Sequence, residues 1–126
     1  MAIVAADALE GDLVVGRGGE RLGTIADVLV DVERGTVAYA VMANVAGDRM
    51  LAIPWSALSL DEERRRFVLQ VEPARLEGAP TIDLDAGPPL GDAGWAADVH
   101  RYYGVEPYWS GSGRGGVLGS AGAFGP

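Results

Sequence analysis

Residues 22–45, LGTIADVLVDVERGTVAYAVMANV, decide the fold. Val37, Tyr39, Val41, Ala43 and Val45 recur at a strict period of two with smaller or more polar residues between them, the spacing of a long strand whose two faces differ. Ahead of them Val28, Val30 and Val32 alternate against Leu29 and Asp31, so Leu22 to Val32 reads as a second strand. Glu33-Arg34-Gly35 lies between the two and supplies turn residues. Gly23, ahead of Ile25, predicts a bend or bulge.

Working outward, Leu13 to Val15, Met50 to Ile53 (ended by Pro54) and the alternating Phe67, Leu69 and Val71 give further short strands. Gly11-Asp12, Gly18-Gly19, Gly47-Asp48 and Asp61 to Arg65 punctuate them. Trp55 to Leu58 reads as a turn or a single helical turn, with Trp55 plugging one end of the barrel. Five or six short strands without intervening long helices predict a mainly β fold, a small antiparallel barrel or sandwich. Past Pro73 the composition changes. Pro73 to Gly78 predicts one helical turn, because proline suits a first helical position and Gly78 with Pro80 stops it.

One true helix is expected, from Asp92 to Tyr103. Trp95, Val99, Tyr102 and Tyr103 fall at i, i+4, i+7 and i+8 on one face, with Asp92 as N-cap and Gly104 beyond the C-terminus. A helix of this length is marginal alone in water, so its order depends on burying those side chains. The expected layout is an N-terminal arm (1–10), a barrel domain (11–85), a linker (86–91), a C-terminal aromatic helix extension (92–110) and a disordered Gly-rich tail (111–126).

At 126 residues and 13.1 kDa there is room for one core. No apolar stretch approaches the ~18 to 20 residues that cross a bilayer, and the start MAIVAADALEGD lacks the features of a signal peptide, so no membrane segment and a cytoplasmic location are expected. There is no cysteine, which excludes disulfides, thiolate metal sites and a cysteine nucleophile. The formal charge is −8 and all ten basic residues are arginine. Such a surface repels phosphates, so direct nucleic-acid binding is not expected. The run Arg64-Arg65-Arg66 follows Asp61, Glu62 and Glu63, and charges so close cancel beyond a Debye length of ~8 Å.

The segment from Gly11 to about Asp83 resembles a PRC-barrel domain, the module named for the H subunit of the photosynthetic reaction centre and also found in a ribosome-maturation protein. The opening GDLVVGRGGERLGTIADVLVDVERGTV, then AIPWSALSLD, FVLQV and RLEGAP, carry the resemblance through their order and spacing. ADVHRYYGVEPYW is similar to an extension of stand-alone bacterial PRC-barrel proteins, taking the likeness to roughly residues 11 to 109. The resemblance implies a strongly bent PRC-type β-barrel used for docking or assembly, and no enzyme. No counterpart of the reaction-centre subunit's transmembrane helix or of the ribosomal relative's separate N-terminal domain is expected, so neither a photosynthetic role nor a direct transfer of the ribosomal function follows from the resemblance.

The motifs offer little chemistry. His100 is the sole histidine and has no sequence-visible partner for a metal site or a triad, so it reads as structural or as a surface residue. Asp27 and Asp31 read as turn and backbone caps rather than a paired-carboxylate site. Gly16 to Gly19 lacks a P-loop lysine and a following helix, and reads as a hairpin turn. Ser56 lacks the glycines of a nucleophile elbow.

No catalytic residue, cofactor or metal is therefore expected. The candidate interface is Trp95, Val99, Tyr102, Tyr103, Tyr108 and Trp109, packing either on the chain's own barrel, across a two-fold axis or on another protein. The leading expectation is a homodimeric protein-binding or assembly module with an unknown further partner. An adapter in ribosome maturation that touches a ribosomal protein is the alternative, and a small-ligand carrier or enzyme the third.

Overall fold

A computed structural model describes residues 3–45, 47–86 and 92–109. All of the expected linker except Ala86, and the expected tail, lie outside those residues. The strands are β1 (Leu13–Val15), β2 (Arg21–Asp31), β3 (Thr36–Asn44), β4 (Met50–Pro54), β5 (Leu58–Asp61) and β6 (Arg66–Leu69). Short 3₁₀ turns span Ala6–Leu9, Trp55–Ala57 and Pro73–Gly78, and one α-helix, α1, spans Ala93–Tyr102. The mainly β fold with a single C-terminal α-helix is as the sequence predicts.

The six strands form one sheet in the order β4-β3-β2-β1-β6-β5. Its two end strands are consecutive in the chain and are joined only by Trp55–Ala57, so the sheet must curl until its ends approach one another. The result is a curled half-barrel rather than a shell closed by hydrogen bonds all the way round. The expected all-antiparallel pairing holds except between β1 and β6, which run parallel with Val14 opposite Phe67. The cause is the corner after Pro54. Every other link between consecutive strands is a hairpin reversal, but β4 turns through Trp55–Ala57 into β5 without reversing, and β6 therefore returns beside β1 in the same sense.

Bulges between Ile25 and Asp27 and between Leu29 and Val30 bend β2 over its long pairing with β3. Gly23 permits the closest approach of that pair, since any side chain there would collide with the Ala43 carbonyl. The concave side encloses Val14, Ile25, Met42, Leu51, Ile53, Phe67 and Leu69. Trp55 covers this interior at the corner, with its ring centroid 5.6 Å from that of Phe67.

The period-two pattern of β3 predicts two unlike faces, and they differ in what covers them rather than in burial. Ala40 and Met42 face the interior, while Tyr39 and Val41 face outward beneath α1, and all four are buried. Val99, fully buried, seats the helix on this outer layer with Ala52 and Ile82. Asp92 caps the helix by accepting hydrogen bonds from the Gly94 and Trp95 amides at 2.9 and 3.1 Å. Gly104 takes φ +69 just past the end, where a side chain would be strained.

A candidate docking groove between the hairpin and the helix

The hairpin joining β2 and β3 stands against one end of α1, and Asp31 holds it in shape. Its Oδ1 accepts from the Arg34 amide at 3.1 Å, its Oδ2 lies 3.6 Å from Arg34 Nε, and the same oxygen accepts from the Tyr108 hydroxyl at 2.8 Å. Asp31 thus ties the turn to the segment that follows the helix. Burial first, then the bond to Asp31, pushes the Tyr108 hydroxyl well above its ordinary pKa, so it stays a donor. Asp27 instead accepts from the Val28 amide at 2.8 Å, in keeping with a backbone role for each carboxylate.

Beneath the hairpin is an aromatic cluster. The Tyr39 ring lies 5.5 Å from Trp95, 5.4 Å from His100 and 6.1 Å from Tyr108, centroid to centroid, and His100 lies 5.1 Å from Trp109. The tilted and edge-on geometries suit ring quadrupoles. His100 is 1% exposed, and its Nδ1 donates to the Ala96 carbonyl at 2.7 Å. Its Nε2 has no hydrogen-bond partner among the described residues.

Between hairpin and helix lies an open groove of about 470 Å³. The aromatic residues Tyr39, Trp95, Tyr108 and Trp109 line it together with Leu29, Val30 and Val32 of the hairpin. Val30 is 48% exposed and Val32 85% exposed, which makes the hairpin an apolar lip facing solvent. Asp31, Glu33 and Arg34 supply the polar rim.

The six residues expected to form an interface thus divide three ways. Trp95, Tyr108 and Trp109 line this groove and are half-buried. Val99 is buried under the helix in its own chain. Tyr102 and Tyr103 lie at the far end of α1, where they pack against the barrel interior and line a second groove. Sequence reasoning did not include Tyr39, Val30 and Val32 in the site. The strand pattern placed Tyr39 on one face of a long strand without saying what covers that face, and only the valines at the hairpin hinted at the rest.

No group of His, Cys, Asp or Glu that could hold a metal ion occurs among the described residues. The Arg64–Arg66 run folds back on its own turn, with Arg64 and Arg66 lying 3.3 and 3.5 Å from Asp61 Oδ2. No helix is long and apolar enough to cross a membrane among the described residues.

The curled sheet corresponds to a known module, for the model of the PRC-barrel domain matches residues 1–76. The chain belongs to the PRC-barrel family. PRC-barrel domains are a non-catalytic protein-interaction fold. Part of the chain is similar to a solved structure described as a putative 16S ribosomal RNA processing protein, RimM, from Pseudomonas aeruginosa, at 23% identity and a TM-score of 0.43. That likeness covers 55% of this chain and 44% of the other, so the chain matches less than half of RimM's length. No curated protein matches the sequence. The PRC-barrel match ends at Leu76, so α1 and Tyr108–Trp109 lie beyond it. The groove forms where the barrel meets the helix that follows it.

Proposed function

We propose that the chain is a non-catalytic cytoplasmic adapter that holds an apolar segment of a basic partner protein in the groove between the β2–β3 hairpin and α1. The groove itself carries this reading: half-buried aromatic rings lie beside two exposed valines on a hairpin pinned by Asp31. Rigid aromatics and an apolar lip lose little conformational freedom on binding, which favours docking at such a place. Charge selects the partner. A chain of net charge −8, with Asp31 and Glu33 among the residues lining this groove, steers basic proteins to it.

Ribosomal proteins have that basic chemistry, and a role in ribosome maturation through a protein contact is the specific form of this proposal. The second reading is a homodimer built on the same surface, supported by its apolar lip, although two copies of net charge −8 repel one another.

Sedimentation of the intact chain, alone and with purified small-subunit ribosomal proteins, separates these readings. The adapter reading predicts a 13.1 kDa species alone and a heavier one with a single ribosomal protein, lost in Val32→Asp. A species of twice that mass, abolished by Val32→Asp, would establish the dimer instead. Absence of any complex with ribosomal proteins would remove the ribosomal role.

A further inference from the structure

The far end of α1 carries a second groove, of about 370 Å³, that shares no lining residue with the first. Three of the ten arginines line it, Arg17, Arg75 and Arg101, against a single acidic residue, Glu72, in a chain that holds eighteen. They come from three separate parts of the fold: the β1–β2 turn, the Pro73–Gly78 turn and the helix. A locally cationic groove on a strongly anionic molecule is a concentration of charge that solubility does not require.

The arginines are also held in place. Arg17 Nη2 donates to the Gln70 carbonyl at 3.0 Å, and Arg75 Nη2 donates to the Tyr102 carbonyl at 2.8 Å. The Arg75 guanidinium stacks 4.1 Å over the Tyr102 ring, whose hydroxyl donates back to the Arg75 carbonyl. A carbonyl orients a guanidinium without neutralising it, and the remaining N–H groups stay available. Among the described residues neither Arg17 nor Arg75 forms an ion pair, whereas Arg101 pairs with Asp98 at 2.6 Å. Support of the helix C-terminus explains one nitrogen of Arg75 and the position of Arg101. It does not explain Arg17, which lies on a different element.

We propose that this groove recognises the carboxylates of an acidic peptide segment, with Arg17 and Arg75 as the paired guanidinium donors. Val71 and Tyr102 supply apolar walls for the methylenes that carry those carboxylates. The open shape suits a chain passing through rather than an enclosed metabolite. The adapter would then have two unlike docking surfaces at opposite ends of one helix.

The test is fluorescence anisotropy of the full chain with a labelled hexapeptide of alternating aspartate and glutamate. Its asparagine/glutamine counterpart and inorganic phosphate serve as comparison probes. The acidic peptide should bind in a salt-sensitive manner, Arg17→Gln and Arg75→Gln should each weaken it about tenfold or more, and Arg65→Gln, which removes the same charge from an exposed hairpin, should change it less than about twofold. Arg17→Gln removes no contact to the helix, so the result does not depend on Arg75→Gln folding. Equal losses in Arg17→Gln and Arg65→Gln, equal binding of the amide peptide, displacement by equimolar phosphate, or no binding of the acidic peptide would each overturn the proposal. Any of those outcomes leaves the hairpin groove untouched.

Discussion

Gly23 and Asp31 show how single residues set the site. Gly23 lets β2 lie close against Ala43, and the bulges that bend the strand pair towards the hairpin follow it, between Ile25 and Asp27 and between Leu29 and Val30. Gly23→Ala should lower stability by about 1–3 kcal/mol, read as a reduced urea midpoint at unchanged slope. Glycine at this position predicts a bend or bulge, and the β1–β2 register shifts beside it, where Val14 pairs with Gly23 and Val15 with Arg21. The role of Asp31 was only half legible: a turn-capping carboxylate follows from its place before Glu33-Arg34-Gly35, but its bond to Tyr108, 77 positions away, has no local signature.

Tyr39 adds a pH dependence. Burial pushes its hydroxyl up to about 12 from an ordinary value of 10. Between those values the folded chain retains a proton that the unfolded chain has lost, so stability present below pH 10 falls as pH rises towards 12. Denaturant titrations from pH 9 to 12 should show that fall, with a shallower slope in Tyr39→Phe. An identical slope in the variant would assign the loss to other tyrosines.

Among the elements, α1 is the one on which both grooves depend. Its aromatic spacing, N-cap and terminal glycine were all readable, because each is local in sequence. Whether it covers its own sheet or another chain was not readable, since the periodicity is the same in both cases. In the fold it covers its own sheet through Val99. Asp92→Ala should cost about 1 kcal/mol through loss of two capped amides. Val99→Ala should cost about 2 kcal/mol through lost burial and the cavity left behind. Both should raise amide exchange across 93–102 more than across β3, and uniform exchange would show that the helix does not open separately. Strand β5 was the element missed. Its residues, Leu58–Asp61, are intermediate or exposed and lack an alternating core pattern, so only the corner after Pro54 and pairing with β6 define it.

At the level of the whole molecule, composition had already set the charge and the single core, and residue order carried the family likeness. The grooves were not legible because each is assembled from segments far apart in the chain: residues 29–39 meet 93–109 in one, and Arg17 meets Arg75 and Arg101 in the other. An acidic body with an aromatic docking groove fits an adapter whose specificity comes from where it is apolar, with charge steering the encounter. Raising the salt concentration should then slow partner association more than it speeds dissociation, as stopped-flow measurements would show.

Site-specific photocrosslinking in the intact chain tests the docking groove most directly. A photoreactive residue in place of Val32 reports on the groove, and one in place of Leu60, 45% exposed on β5, reports on an apolar surface away from it. The account predicts a discrete crosslink to a basic protein from position 32, lost when Trp109→Ala is added, and none from position 60. Crosslinks from position 60 alone, or equal yields from both positions, would contradict it.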